Sequence, residues 1–255
     1  MTQSNTPATN NGNTTVQWRG FLIALLLGTI ILGSWICPVS RIGWDAVDRA
    51  VFFFLNGSVA TPSLWSHFWA VMNSRTTDLA PLLLLLPFLA VPDLLIQRTR
   101  RITACCHLLI ILIIMLVVRF SFEQITDILH WRGNSPTLTL QPAHLLSDMY
   151  PALNPKDTSN QSFPGDHSGV LMIVASFLLL QGTSRWNWFI GGVAVFFMLP
   201  RLIAGAHWFT DVAVGGLFIA STSIAIGFFT PWPLAWATEL GARIYQHPLT
   251  PPWMR

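Results

Sequence analysis

The chain has 255 residues, of which 52% are hydrophobic and only 10% charged, with a formal net charge of +3. Soluble domains carry roughly a quarter charged residues, so this composition, with a mean hydropathy of +0.53, excludes an ordinary water-soluble globule. A pI near 9.1 does not imply nucleic-acid binding, because the cations form no basic run or stripe.

Residues 1–18 are polar and rich in Asn and Thr, which predicts a disordered tail. Arg19 then precedes an apolar stretch to about Val39 with no small-residue cleavage site, so a retained anchor is expected rather than a signal peptide. Length and polarity predict six spans, at about 20–39, 78–96, 102–121, 166–182, 187–204 and 210–230. Between the first two, Trp44 to Leu55 mixes Asp45, Asp48 and Arg49 with an aromatic block, as a helix lying on the membrane surface would. Pro62 to Met72 is apolar but too short to cross alone, and reads equally as an extension of the second span. The predicted fold is therefore an all-α integral membrane protein: a six-helix catalytic domain over 19–235, an interfacial helix, and a C-terminal tail over 236–255. The twelve Trp residues suit belts at the two interfaces. Cys37, Cys105 and Cys106 all sit in apolar sequence and are expected to be small buried side chains, not disulfides.

Loop arginines set the expected orientation. The cluster Arg98, Arg100 and Arg101 is assigned to the cytoplasm, together with Arg19, Arg185 and Arg243. Arg132, Lys156, His167, Arg201, His207 and Asp211 then all fall on the outer side. The outer loop from Phe122 to Gly165 is too long for a simple connector, and loops of that length are commonly functional.

The chemistry-bearing segment is Arg201-Leu-Ile-Ala-Gly-Ala-His207-Trp-Phe-Thr-Asp211. His207 and Asp211 are four apart and share a helix face, so the carboxylate can hold the imidazole N–H. Arg201 closes an apolar stretch, where a charge is costly unless it binds something, and its fork suits phosphate oxygens. Gly165, Asp166 and His167 open another apolar run, and the free amides of a helix start favour an anion. Together they suit phosphoryl transfer: His207 as nucleophile, Asp211 fixing its tautomer, Arg201 on the phosphate, and His167 protonating the leaving oxygen. Arg119 and Glu123 read as a local ion pair, and His67, His107, His130, His144 and His247 as structural. Asp166, His167, His207 and Asp211 are also metal-ligand types, but a guanidinium beside them favours metal-independent chemistry, so no cofactor is expected.

At these residues the chain resembles the type 2 phosphatidic acid phosphatase superfamily of membrane lipid phosphatases. Arg201, His207 and Asp211 match the family's third motif in full, while the second, usually Pro-Ser-Gly-His, is altered to Pro164-Gly165-Asp166-His167. The first motif is largely lost: Pro136 remains, but Ser135 and Ile128 occupy its Arg and Lys positions, and Arg132 and Lys156 are the nearby cations that could substitute. Ser135-Pro-Thr-Leu-Thr139, Lys156-Asp157 and Ser162-Phe-Pro-Gly-Asp-His167 resemble one branch in particular. That branch moves the terminal phosphate of undecaprenyl diphosphate, the donor, onto the 1-phosphate of lipid A, the acceptor, at the periplasmic face of the bacterial inner membrane. The resemblance also implies a lipid head-group role for Asn73 and Arg75, and leaves Asp166 either repelling a misplaced phosphate or binding the acceptor through a lysine. A lipid phosphatase transferring to water is the alternative. A lipid carrier is a distant one, because the polar groups cluster at span ends and no repeat is visible.

Overall fold

A computed structural model describes residues 15–182 and 185–246. The tail expected over 1–18 therefore lies almost wholly outside the described residues, as do the last nine residues and His247.

The described chain is helical, with no strand among its residues. The longer helices are α1 (Trp18–Ile36), α2 (Pro38–Gly57), α3 (Leu64–Met72), α4 (Ala80–Ala90), α5 (Arg101–Ile128), α6 (Asp166–Leu180), α7 (Asn187–Ile203), α8 (Leu217–Phe229) and α9 (Pro231–Gln246). A wide π turn, Asp211–Gly216, leads into α8. Three helical stretches, Trp18–Ile36, Arg98–Ile128 and Asp211–Phe229, are long and apolar enough to cross a membrane, and α6 and α7 are shorter apolar helices.

Prolines account for most departures from the expected spans. Pro38 starts a new helix, so Cys37 is extended and α1 ends at Ile36 rather than Val39. The span expected over 78–96 is only the 11-residue α4, because Val91, ahead of Pro92, turns extended and Asp93 takes a positive φ of 61°. The stretch from Pro62 does not lengthen it: α3 stands apart, capped by Ser63, whose hydroxyl accepts from Ser66 N. The third predicted span is instead longer, since α5 runs on to Ile128 through the Arg119–Glu123 pair at 2.8 Å. Pro231 opens α9, which packs on α5 where the reading after 235 had only a tail. Of the three cysteines expected to be buried, only Cys106 is; Cys37 is exposed in the bend between α1 and α2, and Cys105 is exposed on α5.

Helix α8 is the central post, packed against α1, α5 and α6. Ala220, Ser221, Ser223 and Ala225 keep its surface small, as close helix packing in an apolar solvent requires. On α1, a Cβ at Gly28 would run into the Ser221 hydroxyl, which would have to turn away. The interior is a belt of Phe177, Leu178, Ile173, Ile111, Ile190 and Ile219. On the amphipathic α2, Asp48, Phe52 and Asn56, four apart, turn inward while Val39, Ile42, Phe53 and Phe54 stay exposed.

The segment between α5 and α6 is not free chain. It makes short helical turns at Pro136–Thr139, Leu146–Met149 and Pro151–Leu153. Buried polar bonds tie it down: Asn56 Nδ2 to His144 O at 2.9 Å, Thr137 Oγ1 to Asp157 O at 2.6 Å, and Ser135 N to Ser159 O at 2.8 Å. It covers one end of the bundle, where the start of α6 meets the end of α7.

Candidate active site

The site is built at that end by three chain turns. Helix α7 carries Arg201 in its last turn, the following loop carries His207, and Asp211 opens the π turn. Gly205, with φ of 73°, makes the reversal between α7 and His207. Its carbonyl accepts from Thr137 Oγ1 at 3.2 Å, which clamps the reversal to the long segment.

His207 and Asp211 are both buried. The imidazole Nδ1 lies 2.9 Å from Ser162 O and 3.2 Å from Asp211 Oδ2. Both neighbours are acceptors, so Nδ1 carries the proton and Nε2 keeps its lone pair. Asp211 is itself held, because its Oδ2 accepts from Trp208 N at 2.9 Å and its carbonyl accepts from Gly165 N at 3.0 Å. That last bond joins the histidine loop to the start of α6. Gly165 is the N-cap there and supplies no side-chain cap, so the first-turn amides remain available to an anion.

Arg201 is buried, and three of its five N–H donors are taken by protein oxygens. Its Nη1 donates to Asn73 O at 3.1 Å and Asn73 Oδ1 at 2.9 Å, and its Nη2 donates to Asp78 Oδ1 at 2.7 Å. Gly165, His167, Arg201 and His207 line one small pocket, closed by Ser168, Met198 and Val212. His167 lies within the fields of Asp78, Arg201, His207 and Asp166. The arrangement therefore offers a nucleophilic nitrogen, a guanidinium, free helix amides and a second imidazole around one small pocket.

The other residues singled out in the sequence fall differently. Asp166 pairs with Arg119 of α5 at 2.7 Å, not with a lysine, so the Arg119–Glu123 pair is not merely local. Arg132 is drawn to Asp127, with Nη1 at 3.1 Å from both carboxylate oxygens. Lys156 is exposed, and it is its backbone that reaches the site, through Asn73 Nδ2 donating to Lys156 O at 2.8 Å. Arg75 is exposed in the turn Arg75–Leu79 that positions Asp78. Among the structural histidines, His107 is buried with Nε2 at 2.8 Å from Gly227 O. Sequence reasoning missed Asp78 altogether, and gave Asn73 a lipid contact rather than its bonds to Arg201.

A family model described as the PAP2 superfamily matches residues 139–236, a stretch that contains Gly165, Asp166, His167, Arg201, His207 and Asp211. Lipid A 1-diphosphate synthase of Escherichia coli (strain K12) is 31% identical over 222 residues, covering 82% of this chain and 84% of the relative. The chain belongs to the PAP2 superfamily. No solved structure matches it. As a PAP2 protein it is a membrane-associated enzyme acting on phosphate groups. Its family match begins at residue 139, so Asn73, Asp78 and Arg119, which hold the matched residues in place, lie outside it.

Proposed function

We propose that the protein is a six-span lipid phosphotransferase of the bacterial inner membrane with its site facing the periplasm. It takes the terminal phosphate of undecaprenyl diphosphate onto His207 and delivers it to the 1-phosphate of lipid A. The observation that carries this reading is the pair of acceptors on Nδ1, Ser162 O and Asp211 Oδ2, which leaves Nε2 as a nucleophile directed away from them.

In the first step Nε2 bonds to the terminal phosphorus and the bridging P–O bond breaks. Its electron pair leaves with undecaprenyl monophosphate, and His167 supplies the proton that oxygen needs. The imidazole, now bonded at both nitrogens, is positively charged, and Asp211 stabilises that charge from 3.2 Å. Arg201 and the first-turn amides of α6 hold the equatorial oxygens. In the second step an oxygen of the acceptor phosphate attacks phosphorus and the N–P electron pair returns to Nε2, yielding a diphosphate on the acceptor.

The test uses purified full-length protein and undecaprenyl diphosphate labelled in its terminal phosphate, with and without lipid A. Label in doubly phosphorylated lipid A is expected. Release of inorganic phosphate alone would instead establish a lipid diphosphatase. His207→Gln is expected to abolish turnover and the acid-labile phosphoprotein, and retained turnover removes His207 from the nucleophile role.

A further inference from the structure

A second cavity, of about 360 Å³, opens on the other side of the His207 support. That size is within the range of roughly 300–1,000 Å³ typical of small-molecule sites. It shares none of the residues that line the phosphate pocket. Its back wall is Ser162 and Asp211, the two groups that hold His207 Nδ1, so it lies one side chain away from the reacting histidine.

Its front wall is the first half of α2. Arg41, Asp45 and Arg49 stand four apart and all line the cleft. Arg41 lies over the Trp35 ring at 4.1 Å and pairs with Asp45 at 2.7 Å, so its direction is fixed. Arg49 is exposed and has no carboxylate partner among the described residues. Trp131 and Trp208 give the cleft indole surface, while Trp35 is only 3% exposed, stacked on Phe163 at 4.6 Å behind Arg41. Asn134 is also in the lining, and its carbonyl accepts from Trp208 Nε1 at 2.9 Å.

This lining excludes two occupants by its chemistry. A polyprenyl chain would require aliphatic walls, and a single phosphate would leave most of the volume empty. Indole faces beside carboxylates and arginines suit a ring with apolar C–H faces, hydroxyl groups and a fixed negative charge. We propose that this cleft binds the saccharide part of the acceptor, a sugar carrying a second anionic group that Arg41 and Arg49 hold. The proposal deepens the lipid A reading and rests on it, but it concerns binding and can be measured without transfer.

The experiment measures binding of lipid A to the wild-type full-length protein in detergent, with no donor present, by microscale thermophoresis. Bisphosphorylated lipid A is compared with the form that keeps only the 1-phosphate. Arg49→Gln and Arg41→Gln/Arg49→Gln are measured alongside. The double variant is expected to weaken binding of the bisphosphorylated form about tenfold and to leave the 1-phosphate form within twofold. An unchanged Kd for the bisphosphorylated form in the double variant overturns the proposal, as does an equal loss for the two forms. Wild-type protein that shows the expected binding pattern but transfers no phosphate to lipid A would overturn the transferase reading and leave the cleft intact.

Discussion

Arg201 concentrates the electrostatic problem of this site, because a buried guanidinium must be matched by nearby acceptors or it destabilises the fold. Three acceptor oxygens, two of them from Asn73, perform that role. Asn73→Ala removes one bond to Nη1 and the Nδ2 bond to Lys156 O, and is expected to lower kcat/KM at least tenfold while His207 still accepts label in single turnover. Wild-type kinetics in that variant would show that Asp78 suffices. Asp48 permits a prediction on pH. Burial pushes its carboxyl from 3.8 up to about 6, against the lowering effect of bonds from Thr210 Oγ1 at 2.7 Å and Thr210 N at 2.8 Å. Between pH 4 and 6 the folded protein therefore holds more protons than the unfolded chain, so stability falls as pH rises through that window and levels off above it. Asp48→Asn keeps both bonds to Thr210 and is expected to flatten this part of the profile and raise the unfolding midpoint above pH 6. A profile identical to wild type would place the carboxyl near its ordinary value. The residues legible from sequence were those whose partners are near in sequence, such as His207 with Asp211 at i+4. Asp78 and Arg201 are 123 positions apart, and no local pattern joins them. Arg119 showed its helical partner Glu123 but not Asp166, which only the packing of α5 against α6 supplies.

At the scale of elements, hydropathy located the apolar stretches and prolines decided where they end. The six predicted stretches each contain a helix, yet α4 is half the expected length because Pro92 forces Val91 out of the helical region. Hydropathy gives no weight to such a break, and it equally gave no reason to continue α5 past 121, where polar residues follow. The loop that joins α7 to the π turn is the element on which the site's geometry most depends. Gly205 holds φ at 73°, and a Cβ there would stand 2.6 Å from Thr137 Cγ2 and 2.8 Å from the Phe52 ring. Gly205→Ala is expected to destabilise the protein by about 2 kcal/mol or more, from strain at positive φ and overpacking together, and to reduce turnover because His207 lies two residues on. Adding Thr137→Ser removes the methyl group and keeps the hydroxyl that bonds Gly205 O. The pair is expected to recover part of both losses in thermal unfolding and activity assays. No recovery would show that backbone strain and the Phe52 contact, rather than the contact with Thr137, dominate.

For the whole molecule, the convergence of distant segments at one end of the bundle is the feature on which function rests. The end of α7, the start of α6, the π turn and the long segment after α5 meet there, while the Arg98–Arg101 turn lies at the opposite end of α5. A 28-residue helix is about 42 Å long, more than the roughly 30 Å of a bilayer's hydrocarbon core. If α5 crosses, its two ends must face different compartments. This gives a direct test of the proposed topology. In a background with Cys37, Cys105 and Cys106 replaced by alanine, Thr99→Cys and Thr158→Cys place single thiols at exposed positions on either side of α5. An impermeant maleimide added to cells with a permeabilised outer membrane is expected to label Thr158→Cys and to reach Thr99→Cys only after the inner membrane is lysed. The positive-inside bias of Arg98, Arg100 and Arg101 predicts that direction. Labelling of Thr99→Cys alone would invert the protein and put His207 in the cytoplasm, away from a periplasmic acceptor. Labelling of both thiols in intact cells would mean that α5 does not cross, and the six-span reading would fail with it.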